Sequence, residues 1–430
     1  MKTIITKSLY YTIIVLAFYA CSNNIEYELT SKVENKEQSE RNTHQHRTYE
    51  EALVIAKNAA NMLDNNSNTR SNKSRTINTN TVQYIVNPSH SRSTESCDTL
   101  MYVFNYEDNS GFAIISANRA TEELIAVTEQ GGYIAGKSSG NKGFDLYMDM
   151  AKFYVNNAKS NETTVMPDTI SELITKKSNR ILSSYGPYIN VRWGQEYPYN
   201  QFCITNTGYT IKTGCLTTAL AQIISYYEYP TSLTINYDGT SSVLPLNWDT
   251  IKEHYSSNQC NCSEHITIGK MFRQLGYELW IDYKNGYSGN SGAYIDDALS
   301  ILGYTYGNRQ SYNKDVVETS LSEGKVIYIT GYLSSTEEGH AWVIDGFKKT
   351  ETTIIKYSRN SITGLLTEIW RGTSQSYYNH FNWGWNGDSN GYYLCNVFDV
   401  TRYSELDSDV SSTTTYNFTY NITMFPYIAH

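Results

Sequence analysis

The chain has 430 residues, 40% of them hydrophobic and 18% charged, with a formal net charge of −9. That length and apolar content can furnish cores for two or three domains. The acidic balance excludes a nucleic-acid surface built on clustered Lys and Arg, and 39 tyrosines together with Asn, Ser and Thr must carry much of the polar surface.

Lys2 and Lys7 precede an apolar run from about Tyr11 to Tyr19, which ends at Ala20 and Cys21. This reads as an export signal over residues 1–20, and the run is too short to span a bilayer as a mature helix. The Ala20–Cys21 junction resembles a bacterial lipoprotein cleavage site with Cys21 as the lipidated residue; Phe18 and Tyr19 depart from the small aliphatic pattern, so an ordinary secretory peptide is the alternative. Export places Cys97, Cys203, Cys215, Cys260, Cys262 and Cys395 in an oxidising compartment, although their irregular spacing does not resemble a disulfide framework.

Residues 22–48 are polar and charged and read as a tether. Leu53, Ala56, Ala60 and Leu63 then share one helical face, an Asn/Ser/Thr-rich loop follows, and "TVQYIVNP", "TLMYVFNY", "GFAIISA" and "ELIAVTE" predict four strands. A helix around "FDLYMDMAKFYVNNA" closes an α+β domain over 49–160 that contains no cluster of catalytic residue types. The hydrophilic connector 161–184 follows, with Lys176 and Lys177 marking an exposed stretch. In 185–430 a helix from Cys215 to about Tyr229 and helical patterns near "IGKMFRQLGYE" and "YIDDALSILG" come first, and strands come after Val326. That order predicts a helical half packed on an antiparallel sheet half.

Chemistry concentrates in this second region. Thr213 and Gly214 form a tight entrance to the helix, placing the Cys215 thiol at a helix N-terminus. The helix dipole favours a thiolate there, and an adjacent imidazolium can lower a thiol pKa to ~3–4; the bland alternative is a small buried hydrophobe. His340 opens the strand "HAWVIDGF" and can serve as a base, or as a satisfied core histidine. In "NWGWNGDSNGYY", Asn382 can accept the His340 Nδ1 proton and orient the ring, while Trp383 covers that bond from water; the same stretch could be a tryptophan-anchored hairpin. Gln195 in "WGQEYPYN" can donate to a tetrahedral oxyanion beside the Cys215 backbone N–H. The order Gln, Cys, His, Asn is that of papain-like catalysis.

With "WGQEYPYN", "TGCLTTALAQIISYYEYP", "GHAWVIDGF" and "NWGWNGDSNGYY" in this order, the chain resembles the streptopain family of papain-like cysteine peptidases over about residues 181–430. The resemblance implies Cys215 as nucleophile, His340 as general base, Gln195 as oxyanion-hole donor, and Asn382 with Trp383 as the orienting and covering pair. It implies a papain-like two-part catalytic domain over 185–430 behind an α+β inhibitory prodomain over 49–160, similar in "DNSGFAIISANRATEELIAV" to the family's inhibitor domains, with a maturation linker over 161–184. The glycine-rich "DYKNGYSGNSGAYIDDAL" resembles the family's groove wall, so Ser288 to Ala293, including Ser291 and Gly292, are expected to line the non-primed side with Gly214 and Gly339. Trp342 or Trp383 is expected to add apolar surface there. Two departures stand out: the segment between Gly346 and Asn379 is longer than expected and should add a hairpin near the cleft, and Val326 stands where proline is common.

The expected protein is thus an exported cysteine endopeptidase made as a zymogen, with its own linker as a first substrate. No metal or organic cofactor is required, and its partners are protein or peptide substrates and its own prodomain, in a monomer attached to a membrane only through a lipid. The alternatives are a Cys-His cell-wall amidase and a catalytically silent surface-binding lipoprotein on the same fold. His254, Cys260, Cys262 and His265 are zinc-capable, but their spacing matches no familiar zinc pattern; a polar loop with spare thiols or a disulfide is the alternative there.

Overall fold

The computed structural model of the chain describes residues 24–31, 46–64, 75–79, 83–86, 99–158, 173–237, 240–253, 262–290, 292, 294–333, 339–360, 362–398 and 420–430. The export signal, Cys21, Cys97, His254, Cys260 and Ser291 lie outside them. The elements begin with β1 (Asn24–Ser31), α1 (Tyr49–Ala59), α2 (Asn61–Asp64), β2 (Gln83–Val86), β3 (Thr99–Asn105), β4 (Phe112–Ser116), β5 (Leu124–Thr128), α3 (Lys142–Asn157) and β6 (Leu173–Tyr185). There follow α4 (Cys215–Tyr227), β7 (Ser232–Tyr237), β8 (Thr240–Pro245), α5 (Trp248–Glu253), α6 (Ser263–Glu278), α7 (Ile295–Ile301), β9 (Gln310–Ser311) and α8 (Lys314–Ser322). The chain ends with β10 (Ile327–Leu333), β11 (Gly339–Arg359), β12 (Leu366–Asn382), β13 (Gly391–Leu394) and β14 (Tyr420–Phe425).

Two compact units result. The smaller comprises the described parts of Met1–His46, Lys159–Ser184 and Lys349–Ser376. In it β1 runs antiparallel to β6, with Asn24 opposite Arg180 and Ser31 opposite Leu173, and β6 also pairs with β11. The outer parts of β11 and β12 form the hairpin anticipated between Gly346 and Asn379. Its turn is tied by the Asn360 N–H to the Leu365 carbonyl and by the Asn360 side chain, which accepts from the Ile362 and Thr363 N–H groups at 2.9 Å each. The connector expectation needs correction. Residues 173–184 belong to a strand with partners on both edges, Lys177 is buried, and the Lys176 ammonium lies 5.9 Å from the Tyr357 ring centre. Polar composition read as a linker because long amphipathic side chains can cover a strand with their stems.

The larger unit comprises Arg47–Ala158, Tyr185–Lys348 and Tyr377–His430. Its sheet runs β2-β3-β4-β5-β13-β12-β11-β10-β14-β9, so the four strands expected near the N-terminus join those expected after Val326. Phe104, Phe112, Phe144 and Tyr147 lie in one core with Trp342, Phe381, Trp383 and Tyr393. A second core gathers the helices: Leu220 and Ile224 of α4 pack with Phe272 and Leu275 of α6, Leu299 of α7 and Trp193. Helix α4 is buried from Leu216 to Ser225, which explains its nearly unbroken apolar sequence. It stops at Glu228, which adopts the left-handed conformation two residues before Pro230. The α+β class and the helical half against a sheet half are both present.

The stretch expected as a tether over 22–48 includes β1 and, at its end, residues held in the fold. Thr48 and Glu51 form a reciprocal capping box on α1, and the buried Arg47 guanidinium donates to the carbonyls of Ser116, Asn118 and Thr121 at 3.1, 2.6 and 2.9 Å. No helix among the described residues is long and apolar enough to cross a membrane. Arg47→Ala would strand three carbonyls at once and should lower stability by roughly 2–4 kcal/mol; urea unfolding of the full chain, compared through its midpoint and slope, measures this.

Candidate active site

The nucleophile candidate sits where a helix begins. Gly214 caps α4 with φ +87, a conformation glycine adopts freely. A Cβ at Gly214 would also collide with the Ser288 carbonyl. This close approach brings the glycine-rich segment against the helix N-terminus, and Gly292 lies beside Leu216 and Thr330. Gln195 is buried and its carbonyl accepts from the Thr213 N–H at 3.0 Å, which ties its loop to the residues just before Cys215.

His340 faces Cys215 from the start of β11. Burial pushes the Cys215 thiol up, but the His340 charge and hydrogen bond, with the Ala341 and Leu216 N–H groups, bring it below its ordinary value. Burial pushes His340 down, and the Cys215 charge and hydrogen bond, with the Trp383 carbonyl, raise it above its ordinary value. The two shifts have one meaning: each partner favours the charged form of the other. Cys203 and Cys395 are also free, but burial pushes both up to about 12. Among the described free cysteines, Cys215 alone has the electrostatics of a nucleophile.

The orienting bond differs from the expected one. His340 Nε2 lies 3.1 Å from the Trp383 carbonyl oxygen, so that nitrogen carries the proton and Nδ1 is left for the thiol. Asn382 does not accept from His340. Its Nδ2 donates to the Val191 carbonyl at 3.0 Å, and its Oδ1 accepts from Gln222 Nε2 at 2.7 Å and from the Gly384 N–H at 3.4 Å. A carbonyl can only accept and a backbone N–H can only donate, so these partners fix the amide's orientation. Asn382 therefore pins the backbone on either side of Trp383, and the Trp383 carbonyl holds the imidazole. Gln222, two turns along α4 from Cys215, is the residue the sequence reading missed; it looked like one polar position on a buried helix.

Trp383 is fully buried beside His340, with ring centres 6.4 Å apart and its indole N–H donating to the Ser389 carbonyl at 3.0 Å. Trp342 is 1% exposed and packs on Trp383, Phe381 and Phe398. Neither tryptophan lines a groove, which corrects the expected apolar contribution: strand alternation put Trp342 on the core face with Ile344. Gly339 is exposed and pairs with Tyr332 at the β10–β11 end. An open cleft of about 890 Å³ flanks the site, lined by Glu196, Tyr197, Thr210, Lys212, Gly286 and Ser288. Its walls are polar, and Lys212 pairs with Glu196 at 3.2 Å.

The N-terminus of α3 lies directly on this pair. Asn141 caps it by accepting from the Gly143 and Phe144 N–H groups. A Cβ at Gly143 would overlap His340 Cδ2 and stand 2.8 Å from Trp383 Cε3.

Residues 193–393 match the model of the Peptidase C10 family, and residues 39–155 match that of the Spi protease inhibitor. The chain thus carries a Peptidase C10, or streptopain-family, domain and a Spi protease inhibitor domain. Streptopain of Streptococcus pyogenes is 24% identical over 330 residues, covering 68% of this chain and 73% of that protein. Thiol protease/hemagglutinin PrtT of Porphyromonas gingivalis is 23% identical over 343 residues, covering 72% of this chain. The chain spans only 35% of PrtT. A prointerpain A fragment of Prevotella intermedia superposes with a TM-score of 0.49 at 23% identity, over 81% of this chain and 99% of the fragment. The Peptidase C10 match over 193–393, to a family of cysteine peptidases, favours the peptidase over the amidase alternative, and the Spi inhibitor match falls on the domain without catalytic residue types. Of the zinc-capable set, Cys262 is disulfide-bonded, and His265 is buried with Nδ1 3.2 Å from the Tyr197 hydroxyl.

Two measurements follow from this geometry. In the reduced full chain, iodoacetamide should alkylate Cys215 faster than Cys203 or Cys395 by at least about 100-fold at neutral pH, since their thiolate fractions differ more than that; peptide mapping across pH should show the Cys215 rate falling at lower pH than that of an ordinary thiol. Gln222→Leu should release Asn382 and lower kcat of the activated enzyme about 10- to 100-fold with little change in KM, while Gln222→Glu, which keeps an acceptor but loses the donor, should shift the alkaline limb of the pH profile.

Proposed function

We propose that this chain is an exported cysteine endopeptidase made as a latent precursor. The observation that carries the reading is the mutual stabilisation of Cys215 and His340, in which the thiol is lowered and the imidazole raised by the same contact. The Cys215 thiolate attacks a peptide carbonyl, the Cys215 N–H and the Gln195 amide stabilise the tetrahedral oxyanion, and His340 protonates the leaving amine. Water then releases the acyl-enzyme. The Trp383 carbonyl holds the imidazole through Nε2 during both proton transfers, and Asn382 and Gln222 hold that carbonyl in place.

The N-terminal domain, about 49–160, is the inhibitor, and the region from 185 onward is the peptidase. Gly143 lies where the substrate's scissile segment must approach His340, so the domain blocks the centre by occupancy. The groove wall includes Ser288 and Gly292 beside Gly214, and Ser291 belongs to the same segment. The apolar run and Ala20–Cys21 junction support export with lipid attachment at Cys21. An extended substrate must fit a protease cleft, so a paired strand such as β6 resists cutting; maturation therefore falls between 159 and 172, before Leu173.

The test uses residues 22–430 as wild type and as Cys215→Ala, incubated with reductant and followed by intact mass and N-terminal sequencing. The wild type alone should shorten, with a new N-terminus between 159 and 173, and should then take up one equivalent of a thiol-directed inhibitor at Cys215. The kcat/KM of the product should be bell-shaped, rising as Cys215 ionises and falling as pH passes the raised His340 value. If both chains stay intact and the wild type also fails to cleave peptides after controlled nicking by trypsin, the endopeptidase reading is wrong.

A further inference from the structure

The sheet edge at β13 carries a second site that catalysis does not use. Strand β5 of the N-terminal domain adds to this edge, with Thr128 opposite Gly391, Val127 opposite Tyr392 and Ala126 opposite Tyr393. The pairing continues through the Glu129 N–H to the Asn390 carbonyl at 2.8 Å and the Ser389 N–H to the Gln130 carbonyl at 3.2 Å. Backbone pairing of this kind is nearly indifferent to sequence. Selectivity needs a side chain, and a buried ionic group lies at the end of the strand.

His380 stands on β12, opposite Tyr392. Its side chain is 3% exposed, with Nδ1 2.6 Å from Asp345 Oδ1 on β11 and Nε2 3.4 Å from Glu129 Oε1. The other Asp345 oxygen accepts from the Ile189 N–H at 3.0 Å. Arg192 approaches Glu129 Oε2 at 3.7 Å and donates to Gln130 Oε1 at 2.9 Å; Gln130 in turn donates to Asp388. The remaining charged and titratable neighbours are the Tyr392 ring from β13, 5.1 Å from His380, Lys348 over that ring at 4.3 Å, and Arg75, whose charge reaches Glu129. Asp345 and His380 could satisfy one another within the peptidase region alone. The second imidazole nitrogen instead points across the junction, to a carboxylate supplied by the N-terminal domain.

We propose that His380, paired with Asp345 and flanked by Arg192, is a docking site for a carboxylate carried by a strand that adds to the β13 edge, and that Glu129 is the residue by which the inhibitor domain is recognised and retained there. The inference rests on the precursor reading above. It separates two jobs: Gly143 blocks the catalytic pair, and Glu129 keeps the domain that carries Gly143 in place. Without Glu129 the cluster would hold a buried cation short of one partner, a costly arrangement.

The electrostatics give the site a pH signature. Burial raises Glu129, but the His380 imidazole 3.4 Å away, with Arg192, brings it below the usual carboxylate value. Its contribution is present above the free carboxylate value and is lost as pH falls through the docked one. Burial lowers His380, and Asp345 and Glu129 raise it to about 10. Its contribution is complete below the free imidazole value and disappears only as pH rises through about 10. Docking should therefore be firm at neutral pH and loosen in acid.

The experiment is amide hydrogen exchange on the full chain carrying Cys215→Ala, with and without Glu129→Gln, corrected for intrinsic rates. At neutral pH, Glu129→Gln should speed exchange of residues 124–130 and 389–394 by at least about tenfold while α4 keeps its protection. Acid should loosen the same amides in the chain that keeps Glu129 and add little in the Glu129→Gln variant. Equal protection in both chains at neutral pH overturns the proposal. If Glu129→Gln also exposes α4, the acid series on the chain that keeps Glu129 decides alone: loosening of 124–130 and 389–394 before α4 as pH falls below the free carboxylate value supports the site, and loss of protection there only together with α4, at global acid unfolding, overturns it. Because the chain tested is inactive, failure here is distinct from failure of the endopeptidase reading, which the mass and nicking experiment detects.

Discussion

An edge strand exposes a row of unpaired N–H and C=O groups, and something must cover them. Here β5 covers β13, which makes one sheet of two regions that the sequence presents as separate. That junction organises much of the larger unit. It lets Tyr147 of α3 donate to the Ile125 carbonyl at 3.0 Å and the Leu394 carbonyl at 3.3 Å, bridging the two paired strands from above. It merges the aromatic cores on either side. It also sets the height of α3, and hence the position of Gly143 over His340.

The geometry around Cys215 and His340 depends on buried polar groups joined by hydrogen bonds. A thiol at a helix start is only mildly activated; the larger effect comes from an imidazole held at one distance and one orientation. The Trp383 carbonyl fixes the imidazole, the Asn382 amide fixes the carbonyl, and Gln222 fixes the amide from the helix that carries the thiol. Cys215 and His340 are thus linked through α4 as well as through their direct contact. In a low-dielectric interior such a chain of hydrogen bonds resists reorientation, because any turn of an amide would set two acceptors face to face.

The sequence made the elements legible wherever hydrophobic period and punctuation agreed. Helix α4 announced itself through its apolar run between Gly214 and Pro230, the strands β3, β4 and β5 through short β-rich runs, and α3 through its spacing. Cys215 and His340 were legible as a pair because their order and surroundings matched a known pattern. What stayed hidden was set by contacts distant in sequence. Asn382 was assigned the bond that a neighbouring carbonyl makes, since side-chain chemistry is visible in a sequence and a backbone oxygen is not. Trp342 was placed in the groove, although its alternation with Ile344 already assigned it to the core. Strand β6 looked like a linker because its partners, β1 and β11, lie far away along the chain. Glu129 and His380 drew no notice, being far apart in the sequence and individually ordinary.

The seat of Gly143 bears on what activation has to accomplish. The α3 terminus touches the imidazole and the indole, yet the contact between Cys215 and His340 is already made beneath it. On the proposed reading, latency would then be a matter of access to a pair whose two members already favour one another's charged forms, and activation would have only to uncover it.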